Sequence, residues 1–108
     1  MTKEIWRDIP EWEGMYQVSN LGRCRSVDRQ VLARNGIMQL WKGSIITPFK
    51  NRVTGRLVIP LSYQNRSRHV GLAKIVLQSF KIKGSGMAIY KDFNRDNCSL
   101  NNLKWSNK

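Results

Sequence analysis

Between Arg29 and Lys91 the chain carries no Asp or Glu. Twelve bases fall in the same stretch: Arg29, Arg34, Lys42, Lys50, Arg52, Arg56, Arg66, Arg68, Lys74, Lys81, Lys83 and Lys91. A field that one-sided repels itself unless a polyanion neutralises it. The bases are not gathered into a tail. Ile, Leu, Val, Phe and Tyr separate them, which is the pattern of a folded basic face and not of a disordered arm. The seven acids, Glu4, Asp8, Glu11, Glu13, Asp28, Asp92 and Asp96, lie outside the stretch, and the 108 residues together carry a formal charge of +12. Nucleic acid is therefore the first partner to expect.

With 41 % hydrophobic residues and four Trp, a small core is within reach and wholesale disorder is not expected. The length fits one compact domain, or two very small modules sharing a surface. The longest apolar runs fall far short of a membrane span, and no basic-then-apolar leader opens the chain. Neither a spanning nor an exported protein is expected. Cys24 and Cys98 make neither a disulfide framework nor a zinc site, which points to a reduced, cytoplasmic setting.

Periodicity predicts mostly strands. Tyr16-Gln17-Val18 alternates, Ser19-Asn20-Leu21-Gly22 turns, and Arg23 to Val27 alternates again, which makes a hairpin. Arg34-Asn35-Gly36 is a turn. Ile45-Ile46-Thr47 reads as a strand closed by Pro48. Leu57 to Tyr63 and Arg68 to Gly71 make a second hairpin, turned at Gln64-Asn65-Arg66-Ser67. Leu72, Ile75, Val76 and Phe80 recur at helical spacing and predict one short helix. Lys81 to Gly86 reads as a loop and Ile89-Tyr90 as a brief strand. Asp92 to Asn102 is rich in Asn and Asp, which favour turns by bonding nearby backbone. The expected core is Trp6, Ile9, Trp12, Tyr16, Val18, Leu57, Ile59, Leu72, Ile75, Val76, Phe80, Leu103 and Trp105. Trp41 fits either the core or a stacking platform for a base.

Two stretches go beyond composition. Trp6-x-x-Ile9 followed by WEGMYQVSNLGRCRS at 12–26 resembles the nuclease-associated modular DNA-binding motif found ahead of HNH domains in phage and intron-encoded homing endonucleases. LAKIVLQSF at 72–80 with IYKDFNRDNCSLNNLKW at 89–105 resembles the HNH ββα-metal core. The resemblance implies an α+β fold: a small β-rich N-terminal module over 1–56, then a degenerate ββα finger with one short helix over 57–108, together one compact unit. Asp92, Asn94, Asn97 and Asn102 match the family's turn positions, and Leu103 and Trp105 its closing apolar pair. Phe93 stands where the family has Gly. The family's helix His falls on Ala73, and its Asp-His pair falls on Ile89 and Tyr90. A further metal ligand of the family follows the NLxW anchor, and only three residues follow Trp105.

Phosphodiester hydrolysis needs an activated water and a metal to take up charge. Ile has no lone pair to offer a cation, and Tyr, with an ordinary pKa of ~10, is a poor base at neutral pH. His69 reads as a surface or phosphate-contacting side chain, and Asp92, Asn94 and Asp96 as turn caps. There is no Gly-rich phosphate loop and no Ser-His-Asp order. No catalytic residue, metal or cofactor is expected, and the protein is expected not to be an enzyme. It is expected to bind double-stranded DNA and act by occupancy, as a repressor, a mask or a competitor. Arg23 and Arg25 on the first hairpin, Arg52 and Arg56 before the second, and Arg66 and Arg68 at its tip are the predicted DNA contacts, with Lys74, Lys81 and Lys83 extending the phosphate track. A reading of a different class is a small basic phage-type inhibitor of a host or defence protein, or an RNA binder. A third is a nickase dependent on Asp92.

Overall fold

The computed structural model describes residues 3–32, 34–63 and 66–107. In chain order the elements are β1 (Trp6–Asp8), β2 (Tyr16–Ser19), β3 (Cys24–Ser26), β4 (Arg29–Leu32), β5 (Met38–Trp41), β6 (Ile45–Ile46), β7 (Phe49–Lys50), β8 (Leu57–Tyr63), β9 (Arg66–Gly71), α1 (Leu72–Ser79), β10 (Ser85–Tyr90), a 3₁₀ turn (Leu100–Asn102) and β11 (Leu103–Asn107). The class is α+β. All pairings are antiparallel. They make a sheet β1-β2-β3-β6, the hairpin β4-β5, a sheet β7-β8-β9 and the finger pair β10-β11.

The hairpins follow from alternation and turn chemistry. In β2, Tyr16 and Val18 go inward while Gln17 stays half-exposed. The turn to β3 needs Gly22: its φ is +84°, and a Cβ there would stand 2.7 Å from the Cys98 carbonyl carbon. Ser19 Oγ accepts the N–H groups of Leu21 and Arg23 at 3.2 Å each and holds the turn open to that approach. In β8, Ile59 and Leu61 are fully buried while Pro60 is exposed. Pro60 lacks an N–H, and β7 pairs only with Leu57 and Val58, so its missing donor falls beyond the reach of β7. The predicted turn residues Gln64 and Asn65 lie outside the described residues. β9 begins at Arg66, two residues before the predicted return.

At eight residues α1 is too short to stand alone, and burial holds it. Leu72, Ala73, Ile75, Val76 and Leu77 are buried, Lys74 and Gln78 exposed. The helix stops at Lys81, which takes a left-handed φ of +57°. The Lys81 and Ile82 N–H groups return to the carbonyls of Gln78 and Leu77, a Schellman closure.

One core runs through the body. Ile9, Trp12, Val18 and Cys24 meet Ile59, Leu61 and α1, which in turn meet Ala88, Leu103 and Trp105. Two ties reinforce this joint. The Tyr16 hydroxyl donates to the Ser62 carbonyl at 2.7 Å and accepts the Ser62 N–H at 3.2 Å. Leu100 N–H donates to the Asn20 carbonyl at 2.7 Å. The expected core needs three corrections. Trp6 is half-exposed, because it lies on the outer face of its sheet under two arginines. Leu57 and Phe80 only pack against the core from its edge. Leu61, Leu77, Ala73, Ala88 and Tyr90 are core residues beyond those predicted, and the two cysteines, Cys24 and Cys98, are buried with them. The side chain of Trp41 lies outside what is described. The body is elongated, 51 × 33 × 22 Å, and among the described residues no helix is long and apolar enough to cross a membrane.

Candidate nucleic-acid interface

The outer face of the first sheet is a platform built on Trp6. The register sets Asp8, Gln17 and Arg25 side by side across β1, β2 and β3. Gln17 Nε2 donates to Asp8 Oδ1 at 3.0 Å, and Arg25 donates to Gln17 Oε1 at 2.7 and 3.0 Å. The Arg25 guanidinium then lies 4.0 Å from the Trp6 ring centroid, within cation–π range. Arg23 approaches the same ring at 5.7 Å and is ion-paired to Glu4. Hydrogen bonding from Arg23 holds the Glu4 carboxyl well down, to about 2.

The β8-β9 hairpin carries the next cations. Arg66 lies over the Trp12 ring at 4.6 Å, and Arg68, opposite Leu61, is exposed on the same side. His69 faces the other way, with Phe49 edge-on at 5.3 Å. Beside it runs a furrow made of three grooves that share walls. His69, Lys74 and Gln78 border the first; Lys74, Ala73, Arg56 and Tyr90 border the second. Arg56 and Tyr90 also border the third, a cleft of about 510 Å³ that reaches Lys50 and Arg95. Positions 73, 89 and 90, which the resemblance marks as degenerate catalytic sites, thus converge on this furrow.

The finger loop owes its shape to side-chain amides. Asp92 Oδ1 accepts the Asn94 N–H at 2.8 Å and Asn102 Nδ2 at 2.9 Å, while Oδ2 accepts Asn97 Nδ2 at 3.0 Å. These bonds, from Asn97 first, lower the Asp92 carboxyl below its ordinary range. The HNH family implies a metal here, and the residues present do not fit one. Ala73 and Ile89 offer no donor. Burial pushes the Tyr90 phenol up, so it stays protonated at neutral pH. The Asp92 oxygens are occupied by N–H groups, and Asp96 faces Lys50 Nζ at 3.1 Å. Arg56 and Arg95 line the same cleft. Among the described residues no group of three His, Cys, Asp or Glu could hold a metal ion. Cys24 and Cys98 are buried thiols, pushed up by that burial to about 12 and about 11, and are unreactive at neutral pH.

The nine predicted contacts therefore scatter over several surfaces. Arg25 sits on the platform, with Arg23 beside it but ion-paired. Arg66 and Arg68 line the hairpin. Arg56 and Lys74 meet in the furrow. Arg52 lies exposed in the turn before β8, Lys81 caps α1 and Lys83 is exposed in the loop that follows. Sequence reasoning missed Lys50 and Arg95 as members of a site. Their separation by 45 positions leaves no local signal; the Lys50–Asp96 ion pair and the approach of Arg95 to Gly55 bring them together.

The fold is that of a small α+β protein, and it is similar to that of an HNH homing endonuclease. The solved structure described as "DNA binding and cleavage by the HNH homing endonuclease I-HmuI" is similar at a TM-score of 0.73 and 26 % identity, over 95 % of this chain and 52 % of that one. The chain spans about half the length of that endonuclease. The NUMOD4 motif matches residues 4–62, more than half of the sequence, and the chain belongs to that family. No curated protein matches it. The expectation that the protein is not an enzyme is corrected by this similarity, since the related fold is that of an endonuclease. That expectation rested on residues 73, 89 and 90, on the family's further ligand after the NLxW anchor, and on His69 read as a surface side chain.

Proposed function

We propose that the protein binds double-stranded DNA along the furrow that runs from the finger cleft past α1 to β9, with the Trp6 platform as a second contact. The continuity of the furrow carries this reading: Lys50, Arg95, Arg56 and Lys74 follow one another along its walls, and Asp96 is the only acid among the residues bordering it. The NUMOD4 match and the DNA bound by the similar endonuclease support the same partner. The 51 Å long axis spans about one and a half turns of duplex. Lys50, Arg56, Lys74 and Arg95 along the furrow and Arg25 on the platform are the five proposed contacts, with Arg52, Lys81 and Lys83 at the margins; Arg66 and Arg68 lie on the face of β9 opposite His69, outside the furrow. Arg23 joins them only by leaving Glu4.

In this reading residues 1–56 supply the platform and the Lys50 and Arg56 wall of the furrow, and 57–108 the rest of it, as two modules of one unit. A bound copy occupies its site and so represses, masks or competes there. DNA endonuclease is the enzyme class to assay in the same experiment. A DNA target sets the protein in the cytoplasm of a bacterial host, as the phage-type resemblance implies.

The test is titration of a labelled random-sequence duplex across a salt series, with gels run for nicks in Mg²⁺. Five contacts predict a log–log salt slope of roughly −4 to −5. No binding at low salt, or binding to RNA with none to DNA, sinks the reading.

A further inference from the structure

The finger cleft lacks donors for a metal and has donors for an anion. Three cations, Lys50, Arg56 and Arg95, face one carboxylate, Asp96, and that carboxylate is engaged by Lys50 at 3.1 Å. Among the described residues neither arginine has an acid partner. Arg56 is half-buried and already aimed. Its Nη1 donates to the Ala88 carbonyl at 3.0 Å and its guanidinium stands 5.4 Å from the Tyr90 ring centroid, which leaves its other N–H groups for a ligand. Arg95 lies against Gly55, where a Cβ would come within 3.1 Å of its Nη1. At the rim, Phe93 is 90 % exposed with a left-handed φ of +63°. It belongs neither to the core nor to any aromatic pair among the described residues.

We infer that this cleft is a phosphate pocket: Lys50, Arg56 and Arg95 hold one backbone phosphate of bound DNA, and the Phe93 ring lies against the neighbouring base. The pocket follows from the donors themselves; DNA as the source of the phosphate rests on the function proposed above. Guanidinium forks match phosphate oxygens bidentately. In a duplex an exposed Phe wedges against a base step from the groove, which adds affinity without direct readout of base edges. The Tyr90 phenol, kept protonated by burial, adds a neutral donor at the cleft wall.

The test uses the full chain, labelled with ¹⁵N, and two titrations. Inorganic phosphate should shift the amides of residues 55 and 93–96 in a saturable way. Arg95→Ala should weaken that binding roughly tenfold or more, while the rest of the spectrum stays in place. Asp96→Asn should tighten it, because the competing carboxylate is gone. With duplex DNA, Arg95→Ala should reduce the salt slope by about one, and Phe93→Ala should weaken binding without changing the slope. Phosphate shifts that miss the cleft overturn the pocket, as does Mg²⁺ moving these amides where phosphate does not. If phosphate seats normally and the wild-type protein ignores duplex DNA, the DNA source and the proposed function both fall while the anion pocket stands. If wild type binds DNA and Arg95→Ala leaves the slope unchanged, the cleft is not where DNA sits.

Discussion

At the N-terminal platform Arg23 is ion-paired to Glu4 and Arg25 is hydrogen-bonded to Gln17 over the Trp6 ring. At the finger cleft Arg56 touches one carbonyl and Arg95 a glycine. A carboxylate thus answers the Arg23 charge inside the fold at one end, whereas at the other neither Arg56 nor Arg95 has an acid partner among the described residues. DNA must compete with Glu4 for Arg23, so the net charge of the chain overstates what the platform offers. The two regions also differ in what shapes them. Cation and ring hold the platform, whereas neutral amides around Asp92 hold the finger. Substitutions that remove one device at a time test whether the regions are as different as this.

The amide cage is the strongest single device. Asn102 is buried, donates to Asp92 Oδ1 and to the Asn97 carbonyl, both at 2.9 Å, and accepts the Asp92 N–H at 3.1 Å. Asn102→Ala loses all three bonds and should lower stability in urea by about 2–3 kcal/mol. A loss under about 0.5 kcal/mol would mean that the strand pair holds the loop without the cage. Gly22 links the regions, and Gly22→Ala combines a positive φ with a clash on Cys98. It should be destabilising by about 2 kcal/mol. Phe93→Gly works in the opposite direction. It relieves a left-handed residue and should stabilise by about 1 kcal/mol while weakening DNA binding. Stability unchanged and binding unchanged would remove Phe93 from the interface.

The platform is better probed by pH. The Glu4 carboxyl is held down to about 2 by Arg23, and Asp92 is lowered by Asn97. Each group therefore contributes stability that is fully present above its ordinary carboxylate range and is lost as pH falls toward its folded value. Glu4→Gln should flatten the loss between about pH 4.5 and about 2, by no more than about 1 kcal/mol for so exposed a pair. It should also free Arg23 and tighten DNA binding slightly. Weaker binding in Glu4→Gln would show that the ion pair positions Arg23 for DNA and does not compete for it.

Legibility followed locality. The hairpins β2-β3 and β8-β9, the helix and the Asx-rich finger were readable because alternation, helical spacing and turn residues act over a few positions. The strands β4 and β5 were not, since among the described residues they pair only with each other, and Met38 and Leu40 are more than half exposed. Trp6 was misplaced because an aromatic covered by arginines has the same sequence signature as one that plugs a core. The three predicted degenerate positions do come together. The cleft's cations do not announce themselves, because Lys50, Arg56 and Arg95 meet only through the packing of β7-β8 on the finger.

The smallest effect tests whether the two regions share one fate. α1 packs against β2 of the platform sheet and against β10 and β11 of the finger, so a change inside it should reach both. Ser79 sits at its last turn with Oγ buried and without a partner. An orphan hydroxyl keeps its desolvation penalty without the bond that would offset it. Ser79→Ala removes that penalty and substitutes a better helix former, so it should be neutral or stabilise by up to about 1 kcal/mol. Trp12 lies on the N-terminal side of the core and Trp105 in the finger, and the variant should move both fluorescence transitions by the same amount. Transitions that separate, with only one of them shifted, would mean that platform and finger unfold independently and that α1 belongs to one of them.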